Sequence, residues 1–227
     1  TCFSGIGAIE QAFKRLKIKH RIVFAGDIDD KCKKSYFANY DITEERWHSD
    51  IHQFDASPYL GEVDILVGGA PCQAFSMVGK RKGLEDTRGT LFYEYARVIK
   101  QCQPKVFIFE NVKGLMSMSG GELIKTIISL FRSLGYDVNI KLLNAADYGA
   151  PQIRERVILV GTLMGGEFVY PLPTHYNPET EKKEGLKPYV TLGEALADLP
   201  VLTNGGSATK YETSPQNDYQ RLMRARE

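Results

Sequence analysis

The chain begins TCFSGIGAIEQAFKRLKIKHRIVFAGD (residues 1–27), and this stretch decides the fold. Residues 1–3 read as the end of a strand, a glycine turn follows, and apolar residues then recur at helical spacing over residues 7–16. A second apolar run at residues 21–25 predicts the next strand, which ends just before Asp27. A strand, a helix and another strand in this order predict a β-α-β unit with parallel strands.

The same alternation continues downstream and predicts a mostly parallel, twisted α/β sheet with helices on both faces. The predicted strands and helices alternate along the chain, with strands at residues 47–51, 63–68, 106–110, 136–143 and 156–162, and helices at residues 30–40, 91–102 and 122–134.

The pattern changes after residue 162, where Pro, Asn, Thr and charged residues become frequent. We therefore predict three regions: a main domain at residues 1–165, a peripheral arm at 166–202, and a linker leading into a further region at 203–227. Within the arm, Thr191 with Glu194 three residues later predicts the start of a short helix.

Composition excludes several classes of protein. The 227 residues carry 29 Lys and Arg against 28 Asp and Glu, and 43% are hydrophobic, which is typical of globular α/β proteins and excludes disordered, collagenous and coiled-coil chains. No apolar run reaches the length of about 18 residues that a membrane span requires. The four cysteines, Cys2, Cys32, Cys72 and Cys102, have no spacing typical of a zinc site or a disulfide framework, so we predict no metal and an intracellular location.

The first candidate site is the turn Phe3-Ser4-Gly5-Ile6-Gly7 together with Asp27. Such a turn lets a ligand approach the backbone, and an acidic residue after the next strand can bind ribose hydroxyls. The third glycine of the dinucleotide pattern is replaced by Glu10. A nucleoside without a pyrophosphate fits this departure, and S-adenosylmethionine is the commonest cofactor of that kind. The alternative is a tight turn with no ligand.

The second candidate is Gly68-Gly69-Ala70-Pro71-Cys72-Gln73-Ala74-Phe75-Ser76, at the carboxyl end of a buried strand. Ligands bind at that edge of open α/β sheets. Cys72 stands in a polar turn, which favours a nucleophile over the commoner inert core cysteine. Residues 79–88 then carry four basic and two acidic side chains, as expected of a loop that closes over a phosphate backbone or of a solvated surface loop.

Two further motifs follow at strand ends. Glu110 follows the apolar run 106–109, where burial favours a proton donor, although a helix N-cap or a surface ion pair would look the same. In Gln152-Ile153-Arg154-Glu155-Arg156 the alternation places the glutamine and both arginines on one face. Two guanidinium groups can bind carboxylates, bases or phosphates, although an edge-strand charge stripe would also show this pattern.

Taken in order, these motifs closely resemble those of the DNA cytosine-5 methyltransferases, the bacterial and phage C5 modification methylases. The match comprises the glycine turn, Asp27, Ser49-Asp50-Ile51, Pro-Cys-Gln, Glu-Asn-Val and Gln-x-Arg-x-Arg, and residues 219–224 are similar to the entry of the family's target-recognition region. The resemblance implies a Rossmann-like S-adenosylmethionine-dependent methyltransferase fold with an antiparallel last strand. It also makes residues 1–165 the catalytic and cofactor-binding domain.

The resemblance further implies a covalent mechanism. Cys72 would attack C6 of a cytosine flipped out of double-stranded DNA, while Glu110 hydrogen-bonds the base and Arg154 and Arg156 support this contact. C5 would then accept the methyl group of S-adenosylmethionine, leaving S-adenosylhomocysteine. The implied cofactor-binding residues are Phe3, Ser4, Gly5, Gly7, Asp27, Ile28, Asp50, Ile51, Pro71 and Leu91, and the implied DNA contacts are Gln73, Ser76, Lys80, Arg81 and Arg88.

Two alternatives are a tRNA cytosine-5 methyltransferase with the same chemistry and an inactive methyltransferase fold that serves as a DNA-binding subunit. The family carries a recognition region and a small domain beyond the motifs found here. We expect a missing C-terminal part or a second chain to supply them, and we expect a cytoplasmic protein with no membrane partner.

Overall fold

The two apolar runs around position 68 and position 108 form neighbouring parallel strands. In the computed structural model, which describes residues 1–71, 91–166, 168–180 and 182–225, β1 (Ile65–Gly68) pairs with β2 (Val106–Val112) so that Gly68 lies opposite Phe109. Phe107, Phe109 and Asn111 are the buried positions of β2. Their spacing of two follows from the alternation of side chains along a strand.

The sheet continues on the other side of β2. β4 (Glu155–Thr162) pairs with β2 in antiparallel orientation, and β3 (Asp137–Asn144) lies at the end of the strand order β1-β2-β4-β3. The predicted antiparallel last strand is thereby confirmed.

The first three predicted strands are much shorter than expected. Cys2 bridges to both Gly26 and Gly68, and Ala25 bridges to Trp47, all in parallel orientation. The predicted extents 1–3, 21–25 and 47–51 are therefore wrong, although the parallel orientation of these segments agrees with the predicted mostly parallel sheet. One physical reason is visible at Phe3, where a φ of 54° turns the chain out of the strand directly after Cys2.

The helices lie close to their predicted positions. They are α1 (Ala8–Arg15), α2 (Asp30–Asn39), α3 (Leu91–Cys102) and α4 (Glu122–Ser133). α3 buries the stripe Phe92, Tyr95, Ala96, Ile99 and Cys102, which has the spacing of one helical face. Phe131 of α4 packs on Phe107 with ring centroids 4.3 Å apart, so an aromatic core joins both helices to β2.

The chain divides into two compact units, Thr1–Leu142 with Arg156–Val169 and Leu143–Glu155 with Tyr170–Glu227. The second unit holds β5 (His175–Tyr176), β6 (Lys187–Pro188), α5 (Leu192–Leu196) and α6 (Asp218–Arg224). The Thr191 hydroxyl accepts from Glu194 N at 3.1 Å and the Glu194 carboxylate accepts from Thr191 N at 2.8 Å, which confirms the predicted start of α5. The predicted division at residues 165 and 202 stays a prediction.

None of the helices in the part of the chain that the structure describes is long and apolar enough to cross a membrane.

Candidate functional site

A cleft of about 160 Å³ opens in the first unit where the sheet's parallel strands end. Aromatic and aliphatic side chains form much of its wall. Many of the residues predicted to bind a cofactor line it: Phe3, Asp27, Ile28, Asp50, Ile51, Pro71 and Leu91. The other three, Ser4, Gly5 and Gly7, belong to the turn that leads into α1.

The glycine turn holds the Asp27 carboxylate in place. Gly5 N donates to Asp27 Oδ2 at 2.9 Å, and Asp29 N donates to Asp27 Oδ1 at 3.0 Å. Each carboxylate oxygen can accept two hydrogen bonds, so each keeps one lone pair available. Because Asp27 lines the cleft, this arrangement can accept hydrogen bonds from two neighbouring hydroxyl groups of a ligand.

Backbone geometry brings the turn close to its neighbours. Gly7 has a φ of 88°, and a Cβ built there would lie only 2.1 Å from the Tyr40 ring. Tyr40 in turn donates its hydroxyl proton to Gly7 O at 2.7 Å. Position 7 therefore requires glycine for both its backbone conformation and its close contact with Tyr40.

The opposite wall of the cleft is a turn around Asp50. Asp50 Oδ1 accepts from His52 N at 3.0 Å, and the hydrogen bonds from His52, above all from its side chain, lower the pKa of Asp50. Beneath the turn, Arg97 donates to Ile51 O at 2.6 Å and to Phe54 O at 2.7 Å. This arginine, in the middle of α3, fixes the backbone of the wall.

Glu110 and Arg156 form an ion pair at the carboxyl end of β2. Arg156 Nε lies 2.8 Å from Glu110 Oε1. The register explains the pairing, because Arg156 lies opposite Val112 and is thus the diagonal neighbour of Glu110 on the same face. Gly69 packs against this carboxylate, since a Cβ at that position would lie 3.0 Å from Glu110 Oε2 and 3.1 Å from Glu110 O.

Asn111 links this strand end to the segment before Cys72. It is 3% exposed, its Nδ2 donates to Ala70 O at 2.9 Å, and its Oδ1 accepts from Val112 N at 2.9 Å. The side-chain amide group thus holds the backbone at Ala70, while the side-chain oxygen binds the backbone of Val112 in β2 itself. The sequence analysis included Asn111 in the Glu-Asn-Val motif but gave it no role, although a polar residue at a buried position of β2 could have indicated one.

Several predicted site residues cannot be placed. Cys72, Gln73, Ser76, Lys80, Arg81 and Arg88 lie outside the described residues. Arg154 belongs to the second unit, where its backbone N donates to Asn144 Oδ1 at 3.0 Å. The roles predicted for these side chains stay predictions. Within the described ranges, no group of three or more His, Cys, Asp or Glu residues is arranged to hold a metal ion.

The sequence model of the C-5 cytosine-specific DNA methylases matches residues 2–226 of the chain. The chain belongs to the C-5 cytosine-specific DNA methylase family. This confirms the resemblance drawn from the motifs.

Curated relatives of this methylase chain come from bacteria and phages. The orphan methyltransferase M.SPRI of Bacillus phage SPR is 42% identical over 159 residues, which cover 70% of this chain and 36% of the relative. The type II methyltransferase M.NgoFVII of Neisseria gonorrhoeae is 39% identical over 202 residues, which cover 87% of this chain and 52% of the relative. The type II methyltransferase M.BanI of Aneurinibacillus aneurinilyticus is 35% identical over 218 residues, which cover 94% of this chain and 49% of the relative. The chain spans about half the length of the latter two relatives.

Solved structures share the fold. S. pombe Dnmt2 methyltransferase superimposes with a TM-score of 0.58 at 24% identity, covering 74% of this chain and 51% of that one. Entamoeba histolytica methyltransferase EhMeth superimposes with a TM-score of 0.59 at 20% identity, covering 76% of this chain and 54% of that one. The predicted Rossmann-like methyltransferase fold is confirmed.

Phe3 provides a test of the strain in this methylase turn. A left-handed conformation costs a non-glycine residue about 1–2 kcal/mol, and glycine avoids this cost. Glycine also loses more conformational freedom on folding, which offsets part of the advantage. We therefore expect Phe3→Gly to be more stable than Phe3→Ala by about 1 kcal/mol. Urea denaturation of the two variants measures the difference. Because both lack the ring, equal stabilities would contradict a positive φ at this position.

Proposed function

We propose that the protein transfers a methyl group from S-adenosylmethionine to C5 of a cytosine in double-stranded DNA. The observation that carries the proposal is the meeting of two motif residues of the family, Glu110 and Arg156, at a strand end that Asn111 connects to the backbone just before Cys72.

The described cleft fits S-adenosylmethionine. Asp27 offers two free acceptor positions for ribose hydroxyls, Phe3 offers a ring for the adenine to stack on, and the backbone beside Asp50 offers polar groups to an adenine edge. His48 stacks on Phe54 with ring centroids 3.9 Å apart, and burial lowers the pKa of His48, which favours its neutral form. When bound, the cofactor supplies an electrophilic methyl group.

The protein's own groups act on the base in the proposed reaction. The Cys72 thiolate adds to C6 of the flipped cytosine, and Glu110 gives a proton to N3 and accepts a hydrogen bond from the exocyclic amine, so that the negative charge brought by the thiolate does not build up on the ring. Arg156 fixes one oxygen of Glu110, and Arg154 is proposed to contact the cytosine carbonyl. After methylation, loss of the C5 proton and of the sulfur restores the aromatic ring and frees Cys72.

DNA would be held by residues outside the described ranges. We propose that Gln73, Ser76, Lys80, Arg81 and Arg88 contact it, the last three through its phosphates. Selection of a DNA sequence is proposed to depend on a part of the relatives' length that this chain does not span, supplied by further residues or by a second chain. A cytoplasmic location stays a prediction.

Methyl transfer to different polynucleotides tests the proposal. The protein is incubated with S-adenosylmethionine labelled in its methyl group and with either unmethylated duplex DNA of mixed sequence, made by polymerase chain reaction, or unmodified tRNA. We expect label in DNA, recovered as 5-methylcytosine after digestion to nucleosides. Label only in tRNA would favour the alternative function, a tRNA cytosine-5 methyltransferase. Label in neither polynucleotide would favour a DNA-binding subunit without activity.

A further inference from the structure

A buried carboxylate lies directly behind the glycine turn. Glu10 is in the first turn of α1 and is only 4% exposed. Burial of a carboxylate is costly unless hydrogen bonds compensate it. No step of the proposed reaction uses Glu10, and in the sequence it stands where the dinucleotide-binding pattern has its third glycine.

A series of hydrogen bonds connects Glu10 to the backbone of Gly26. Thr1 Oγ1 donates to Glu10 Oε1 at 2.9 Å and lies 2.8 Å from Ser4 Oγ, which accepts from Gly26 N at 3.0 Å. The Ser4 hydroxyl also donates to the backbone oxygen Thr1 O at 3.1 Å. Two hydroxyl groups thereby link Glu10, in α1, to Gly26, which is 16 positions further along the chain.

The carboxylate sets the direction of these hydrogen bonds. An ionised carboxylate only accepts, so the single Thr1 hydroxyl proton goes to Glu10. The Ser4 proton then faces Thr1, and the lone pairs of Ser4 Oγ remain for the Gly26 amide. Gly26 directly precedes Asp27, and Ser4 directly precedes Gly5, whose N–H binds Asp27. Ser4 N also donates to Gly26 O at 2.9 Å.

We propose that Glu10 is a positioning residue that holds Ser4 and Gly26, and through them the Asp27 carboxylate, in the geometry that binds the cofactor ribose. The inference rests on the proposed function for its kinetic consequence.

A matched pair of variants tests the acceptor role. Glu10→Gln keeps an oxygen that accepts from Thr1, whereas Glu10→Leu keeps the volume and removes the acceptor. Thr1→Val independently removes the hydroxyl group that connects Glu10 to Ser4. Glu122→Gln makes the same chemical change in an exposed ion pair with Lys125 and serves as the surface control.

The first readout is amide hydrogen exchange in the protein. In Glu10→Leu and Thr1→Val, we expect the Gly5 and Gly26 amides to exchange at least about 10-fold faster, while β2 amides are unchanged. Glu10→Gln and Glu122→Gln should stay within about 3-fold of wild type. Unchanged exchange of the Gly26 amide in both Glu10→Leu and Thr1→Val would overturn the inference. Equal acceleration of the β2 amides would also overturn it, because it would indicate a general loss of stability.

The second readout is steady-state methyl transfer. We expect the KM for S-adenosylmethionine to rise at least about 10-fold in Glu10→Leu and Thr1→Val while kcat changes less than about 3-fold, since the affected groups bind the cofactor and do not touch the base. An unchanged KM would overturn the inference. If the wild-type protein transfers no methyl group, the proposed function fails, and hydrogen exchange alone decides whether Glu10 holds the turn.

Discussion

Cys72→Ser is expected to lower the rate of methyl transfer at least about 1,000-fold, because a serine hydroxyl is a far weaker nucleophile than a thiolate. The same variant should no longer form a covalent complex with DNA. The adduct can be trapped with duplex DNA containing 5-fluorocytosine and S-adenosylmethionine, because methylation leaves fluorine at C5 where a proton would have to leave. We expect mass spectra of the wild-type digest to contain a DNA adduct on the peptide that includes Cys72.

The other cysteines make the trapping experiment selective. Burial raises the pKa of Cys2 to about 11 and that of Cys102 to about 12, so both remain thiols near neutral pH. The pKa of Cys32 is also raised, by desolvation and then by the charges of Asp27 and Asp29. Cys32→Ser therefore serves as the control and should keep the rate and the adduct. An adduct on Cys32, or full activity of Cys72→Ser, would contradict the assignment.

Local sequence patterns predicted the elements that lie near the site. The spacing of Phe92, Tyr95 and Ile99 predicted α3 with its carboxyl end at Cys102, because the buried face of an amphipathic helix recurs every three to four residues. The carboxyl ends of the apolar runs likewise predicted where Asp27 and Glu110 would be found. These features depend on neighbours in the sequence, and such patterns can be recognised without the fold.

Features that depend on distant contacts could not be predicted in this way. Arg97 looks like an ordinary surface charge of α3 in the sequence, yet it binds backbone carbonyls of Ile51 and Phe54, more than 40 positions away. Asn111 binds Ala70 in the same manner, 41 positions away. The short pairing of the first strand results from the positive φ of Phe3. A phenylalanine rarely adopts this conformation, so the residue type did not predict it.

Glu110→Gln is expected to lower kcat about 100- to 1,000-fold, with the KM for S-adenosylmethionine within about 3-fold of wild type. A glutamine has nearly the same shape but cannot supply a proton at N3, and it loses the charge that pairs with Arg156. Single-turnover methyl transfer at saturating DNA measures the effect. Glu62→Gln, a change in an exposed side chain of the same unit, is the control and should leave the rate unchanged.

Gly69→Ala separates the position of the Glu110 carboxylate from its charge. A methyl group at position 69 would lie 3.0 Å from Glu110 Oε2 and 3.1 Å from its backbone oxygen, so the carboxyl group must shift, although it can still ionise and still bind a proton. We expect an intermediate loss in kcat of about 10-fold, since a small displacement of a group that contacts the base weakens the transition state without removing the contact. If Gly69→Ala matched wild type while Glu110→Gln lost activity, the charge alone would matter. If Glu110→Gln itself stayed within about 3-fold of wild type, Glu110 would not be the residue that acts on the cytosine.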